Sequence, residues 1–164
     1  MDPVTVSTTI ARPREEVFTY LADIANHPEF SDHYLVDWRL TREQSYGTGA
    51  GARFTFKAPR NRFNQADVTL VEVDAPRRIV KAGRGGKYNR TGLRAVYELE
   101  PAAGDMTRVT FTVETRPGNL ADRIMESLGF RGWVKRKTAK ALRRMRSILE
   151  DGEGRGERAT IAGR

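Results

Sequence analysis

From Val4 to Ile10 the side chains alternate, with Val4, Val6, Thr8 and Ile10 on one side and Thr5, Ser7 and Thr9 on the other. A period of two marks a half-buried strand. At Pro13 the period lengthens. Val17, Phe18, Leu21 and Ile24 recur at helical spacing, and Glu15 and Glu16 fall in the first turn, where the helix dipole favours negative charge. Proline itself suits a first helical position, since the N–H it lacks would be unpaired there. The pattern predicts an amphipathic helix over Pro13 to Ala25. Asn26-His27-Pro28-Glu29-Phe30 breaks and restarts the chain, and Asn26 is placed to cap a second, short helix running to about His33.

Period two then returns. Leu35 to Leu40 alternates with Val36, Trp38 and Leu40 on one face. After the Gly47 to Gly51 turn, Ala52, Phe54 and Phe56 alternate with Arg53, Thr55 and Lys57. Ala66 to Val73 is rich in β-branched residues and closes at Asp74-Ala75-Pro76. Arg78 to Gly83 reads as a short strand, and Gly83 to Asn89 as a loop or bulged hairpin. Leu93, Ala95, Tyr97 and Leu99 share a face; Pro101 to Asp105 turns; Val109, Phe111 and Val113 share another. Strands joined by short turns with no helix between them demand an antiparallel meander. Pro117-Gly118-Asn119 ends it, with Asn119 as the expected cap of a last helix. Leu120, Ile124 and Leu128 form that helix's first stripe, and Val134, Ala141, Leu142, Met145, Ile148 and Leu149 its second. The stripes are offset by about 100°, so an irregularity is expected near Gly129 and Gly132.

The order is strand, two helices, a run of strands, one long helix. The exposed face of such a sheet needs a cover, and only the last helix is large enough. The predicted architecture is therefore α+β: a strongly curved antiparallel sheet of about seven strands around a long C-terminal helix, with two short helices after the first strand. One domain spans residues 1–150. The glycines and mixed charges of 151–164 read as a flexible tail. A bent sheet around one helix leaves space for a ligand cavity.

The residues also resemble a family. Val4-Thr5-Val6-Ser7-Thr8-Thr9-Ile10-Ala11-Arg12-Pro13-Arg14-Glu15-Glu16-Val17-Phe18 and its continuation Leu21-Ala22-Asp23-Ile24-Ala25-Asn26-His27-Pro28-Glu29-Phe30 look like the opening of the START-like, or SRPBCC, superfamily. Val71 to Val80 and Thr107 to Val113 sit where its strand signatures fall. The resemblance covers residues 4 to 150 and implies a helix-grip fold with an apolar cavity, as in polyketide cyclases/dehydrases, lipid-transfer domains, coenzyme Q-binding proteins and the birch pollen allergen. One departure is His27, which stands where the family often carries an aromatic, usually Trp, and implies altered packing near the cavity mouth.

Composition narrows the setting. No stretch approaches the apolar run of a membrane span, the start lacks a secretory leader pattern, and cysteine is absent, which excludes disulfides and thiolate chemistry. The default location is cytoplasmic. The formal charge of +8 is suited to an acidic partner or to solubility alone. The last helix concentrates it in Arg131, Lys135, Arg136, Lys137, Lys140, Arg143, Arg144 and Arg146, opposite Val134, Leu142 and Met145. Such a face suits peripheral contact with anionic membrane or plain solvation; nucleic acid is disfavoured because interleaved aromatics are missing apart from Trp133.

Candidate ligand-binding residues come from the inward strand faces and the helix: Trp38, Phe54, Phe56, Tyr97 and Phe111, closed over by Met125 and Leu128. Aromatics and methionine make an adaptable apolar lining, though each residue could equally be plain core. His27 and His33 flank Glu29 and Asp32, but six residues turn a helix through about 240°, so two ligands on one face are not expected and the segment reads as solvated. The sequence points to no metal and no cofactor. Gly83-Arg84-Gly85-Gly86-Lys87 lacks the spacing and following helix of a phosphate loop. Tyr97 and Tyr88 carry hydroxyls of the kind cyclase chemistry needs, yet no catalytic set is evident. The leading expectation is binding or transport of a hydrophobic small molecule (lipid, polyketide or quinone-like). A polyketide cyclase/dehydrase-type enzyme and a membrane- or nucleic-acid-interacting module are the alternatives, and the oligomeric state is left open.

Overall fold

The structure, a computed structural model, describes residues 1–58, 64–118 and 129–162. Seven strands form one antiparallel sheet: β1 Val4–Ile10, β2 Leu35–Leu40, β3 Gly51–Phe56, β4 Gln65–Asp74, β5 Arg78–Gly85, β6 Thr91–Pro101 and β7 Thr107–Arg116. Their spatial order is β1-β7-β6-β5-β4-β3-β2, so every strand from β2 to β7 pairs with its sequence neighbour and β1 closes on β7. This is the meander that the turn spacing demanded. Helix α1, Arg14–Ala22, packs on β5 and β6, while α2, His27–Ser31, packs on β2 and on the long helix α3, Phe130–Asp151. The α+β architecture, the curved sheet and the gripped C-terminal helix are those the sequence predicts.

Two boundaries and the register of one strand differ from the pattern, each for a local reason. The first helix stops at Ala22, before Ala25, because Asp23 is extended, bridges to Tyr46 and turns its carboxylate back onto the Ala25 N–H at 3.1 Å. Ile24–Asn26 continues as a single 3₁₀ turn. Strand β5 runs on to Gly85 through a stretch that reads as loop. Its Gly83 faces β4 so closely that an added Cβ would stand 1.8 Å from the Asp67 carbonyl oxygen, and only glycine permits that pairing. Strand β2 carries a bulge between Val36 and Arg39, with Asp37 at φ 54°, so Leu35 and Trp38 both turn inward and strict alternation fails.

Helix α3 begins at Phe130 after Gly129 in the left-handed conformation, and Gly132 lies within it. Val134, Ala141, Leu142, Met145, Ile148 and Leu149 are buried, as the second stripe predicts. Asn119, Leu120, Ile124, Met125 and Leu128 lie outside the described residues.

The segment after α3 differs from the flexible tail that its composition suggests. It runs back across α2 and along the edge strand β2. Gly156 donates its N–H to the Glu29 carbonyl at 3.1 Å, Ala159 to Ala25 at 2.9 Å, and Leu40 donates to the Thr160 carbonyl at 2.9 Å. Ala159 is buried, and Arg158 pairs with Asp23. Glycine-rich composition hid this because the bonds are main-chain and reach distant parts of the sequence.

Candidate ligand site

Four of the predicted aromatics are fully buried, namely Trp38, Phe54, Tyr97 and Phe111, and Phe56 is half-buried. They form two groups. Trp38 lies 4.6 Å from Phe54, which lies 5.4 Å from Phe56, on β2 and β3. Tyr97 lies 4.5 Å from Phe111, its register partner across β6 and β7. Their separation along the sheet follows from the strand order, which places β5 and β4 between them.

His27 joins the two groups. Its ring centroid is 6.4 Å from Trp38, 5.8 Å from Tyr97 and 5.6 Å from Phe30. It therefore takes an aromatic's place in the packing, at 1% exposure. The expectation of a solvated segment here is corrected: Glu29 and Ser31 are buried too, because α3 and the returning C-terminal segment cover α2. Glu29 accepts from the Tyr20 hydroxyl at 2.8 Å, and Ser31 donates to the His27 carbonyl at 2.7 Å.

The residue that sequence reading missed is Lys81 on β5. It is 5% exposed, and its ammonium lies over the rings of Tyr97 and Phe111, 5.4 and 5.9 Å from their centroids. Its hydrogen-bond partner is His27 Nδ1, at 3.3 Å. The tautomer follows from the other ring nitrogen. Nε2 lies 2.9 Å from the Leu21 carbonyl, which can only accept, so Nε2 carries the proton and Nδ1 accepts from Lys81. Burial, reinforced by the Lys81 charge and opposed by the Leu21 bond, holds the His27 pKa down to about 3, so the ring is neutral. Burial lowers Lys81 to about 8. Among the described residues no carboxylate pairs with it.

A small space of about 10 Å³ is bounded by Lys81, His27, Tyr34, Tyr97 and Phe111, with Thr138, Ala141 and Leu142 of α3 on the far side. Burial raises the pKa values of Tyr34 and Tyr97, so both are neutral phenols. A second, more open cleft of about 300 Å³ lies behind Trp38, between β2 and the C-terminal segment, and is lined by Asp32, Asp37, Glu157 and Arg158. Tyr88, the other candidate hydroxyl, is 73% exposed on the β5–β6 loop, where Lys87 and Arg90 lie against its ring, and does not join the site. Among the described residues no group of three or more acidic or histidine side chains stands close enough to hold a metal ion, and no helix is long and apolar enough to cross a membrane. On α3, Arg144 pairs with Asp32 and Arg146 with Glu150, while Lys135, Arg136, Lys140 and Arg143 point outward.

Residues 1–150 match the model of the family described as polyketide cyclase/dehydrase and lipid transport. The chain belongs to that family. Solved structures agree on the fold, that of the SRPBCC superfamily. A protein from Thermus thermophilus superposes with a TM-score of 0.69 over 90% of this chain and 96% of its own, at 12% identity. Norcoclaurine synthase from Thalictrum flavum gives 0.68 over 92% and 94%, at 14% identity, and has also been solved with dopamine and hydroxybenzaldehyde. The major latex-like protein 151 of Panax ginseng gives 0.66 over 90% and 96%, at 13% identity. No curated protein matches the chain in sequence. At such identities the likeness carries the fold alone. In this family setting, the interior between sheet and C-terminal helix is a ligand-binding architecture.

Proposed function

We propose that the chain binds or carries a hydrophobic small molecule, lipid, polyketide or quinone-like, between the concave face of the sheet and α3. The observation that carries this reading is the inward aromatic lining, Trp38 and Phe54 on one side and Tyr97 and Phe111 on the other, joined by the buried His27–Lys81 pair. Aromatic walls with a few placed polar groups are the usual make-up of a small-molecule site. The family match and the likeness to a synthase solved with small aromatic molecules support it. Met125 and Leu128 are proposed as further contacts on sequence grounds.

The test is native mass spectrometry of freshly purified protein before and after organic extraction, followed by titration with lipids, quinones and aromatic polyketides. A co-purified mass lost on extraction, or saturable uptake, is expected. An empty protein that ignores all three classes overturns the reading.

A second reading, catalysis of the cyclase/dehydrase type, is favoured by one observation. The Lys81 amine, which titrates near pH 8, lies beside the Tyr97 ring, so a proton donor is at hand. Tyr97→Phe separates the two. A carrier keeps its affinity for the ligand found above, whereas an enzyme using the hydroxyl loses turnover of it.

A further inference from the structure

The interior of a protein rarely holds an ammonium group without an acid, because desolvating the charge is costly unless it is paired. Lys81 has three N–H donors and uses one, on His27 Nδ1. Two more donors line the same space. Among the described residues neither the Tyr34 nor the Tyr97 hydroxyl makes a hydrogen bond, although both residues are buried. Their hydroxyls, with the two unused N–H groups of Lys81, leave donors available to an acceptor in this space. The space they enclose, about 10 Å³, has room for one oxygen atom. The remaining walls are the apolar Phe30, Leu35, Phe111, Ala141 and Leu142, with Ser31 and Thr138, whose hydroxyls already donate to the His27 and Val134 carbonyls.

We propose that this space is a donor-lined subsite for one oxygen of an ionised ligand, a carboxylate or an enolate, whose apolar body packs between α3 and the aromatic lining. This rests on the small-molecule reading above and narrows it to acidic ligands. Charge matching decides between an acid and a neutral carbonyl or hydroxyl. A neutral oxygen would accept the same bonds but leave the lysine without a countercharge, whereas an anion supplies both. The other titratable groups facing Lys81 are His27 from α2, Tyr34 from the turn after it and Tyr97 from β6; β7 and α3 present Phe111, Thr138, Ala141 and Leu142. His27 is already neutral and the phenols stay neutral, so between pH 6 and 10 Lys81 alone changes charge.

The experiment titrates ligand-stripped protein with two matched pairs, dodecanoate against dodecanol and 2-naphthoate against 2-naphthalenemethanol, at pH 7 and pH 9.5. At pH 7 the acid of at least one pair binds about 10- to 100-fold tighter than its alcohol, the range expected of charged hydrogen bonds. Lys81→Met abolishes the preference and leaves alcohol binding at least as strong. In wild-type protein the acid weakens at pH 9.5 and its binding takes up about one proton, since the anion restores the charge Lys81 has lost above pH 8. Should Lys81→Met fail to fold, the proton uptake decides the matter alone. Whichever scaffold shows the preference supports the subsite and names the ligand body. Equal binding of acid and alcohol, or a preference that survives Lys81→Met, overturns this proposal while leaving the small-molecule reading intact. Binding of neither member of either pair, together with an empty protein on extraction, overturns both.

Discussion

Replacing Lys81 with methionine should make the ligand-free protein more stable, and only below about pH 10. The lysine pKa falls from 10.5 to about 8 on folding because its ammonium leaves water. At about 1.4 kcal/mol per pH unit, the native state loses about 3 kcal/mol by holding the proton. The direction with pH follows from the depressed base. Below pH 8 the side chain is charged in both states and the penalty is complete. Between pH 8 and 10.5 the folded form sheds its proton first and the penalty disappears. Methionine fills a similar volume without charge, but it leaves His27 Nδ1 without its donor, which costs about 1 kcal/mol. The net gain at pH 7 is about 2 kcal/mol, or roughly 4 to 8 °C in Tm for a domain of this size. Denaturant unfolding of wild type and variant at pH 7, 8.5 and 10, after organic extraction, reads the difference directly. A variant less stable than wild type at pH 7, or a difference that does not shrink toward pH 10, would refute the claim that Lys81 is a buried, unpaired charge.

Three other perturbations test neighbouring parts of the structure. Phe54→Ala removes a ring that is 1% exposed between Trp38 and Phe56 and should cost about 3 to 5 kcal/mol in urea unfolding; a loss under 1 kcal/mol would mean the ring is not part of the packed lining. His27 is neutral when folded and ionises in the unfolded chain near pH 6.5, so its contribution to stability is complete above that pH and falls by about 5 kcal/mol as pH drops to about 3. His27→Gln should therefore flatten the acid limb of the stability profile, and an unchanged limb would show that the ring is reached by water. Truncation after Asp151 removes the main-chain bonds to Ala25, Glu29 and Leu40, and should lower the unfolding free energy by about 1 to 3 kcal/mol; an unchanged value would mean the segment is not docked.

The sheet was legible because its signal is local. Period-two runs such as Val4–Ile10 and Thr107–Arg116, together with short turns, fix both strand direction and neighbour order without any knowledge of tertiary contacts. The aromatic lining was legible for the same reason, since Tyr97 and Phe111 fall on inward positions of paired strands. Lys81 was hidden by its type. It occupies the inward position between Ile79 and Gly83, and a strict count of alternation would have turned it into the core, but a lysine in a strand is ordinarily assigned to water. His27 was hidden by its context: His27-Pro28-Glu29 and Ser31 look solvated until the cover of α3 and residues 152–162 is known. That cover is long-range, with Gly156 lying so close to Glu29 and Asp32 that an added Cβ would approach an Asp32 carboxylate oxygen to 2.7 Å. The Asp37 bulge, which turns Leu35 and Trp38 inward together, has no period to betray it either.

At Lys81, which the sequence hides, the fold departs from what stability alone would select. Elsewhere the interior is conventional: Ile10, Leu21, Leu70, Ile79, Val109 and Met145 are apolar and closed to solvent. A methionine or leucine at 81 would extend that core, and a phenylalanine at 27 would complete the aromatic contact from Trp38 to Tyr97. The chain instead places an ammonium and a neutral imidazole there, with two tyrosines on the same space. Packing does not explain the lysine, because a buried ammonium without an acid is worse than an apolar residue of its size. It becomes intelligible if the site is not empty in use. An acidic ligand oxygen gives the Lys81 ammonium its countercharge, so the energy withheld from the free protein's stability reappears as affinity. The two quantities are therefore linked: the stability gained by Lys81→Met at pH 7 and the acid affinity lost by it should shrink together as the pH passes 8, because one proton governs both.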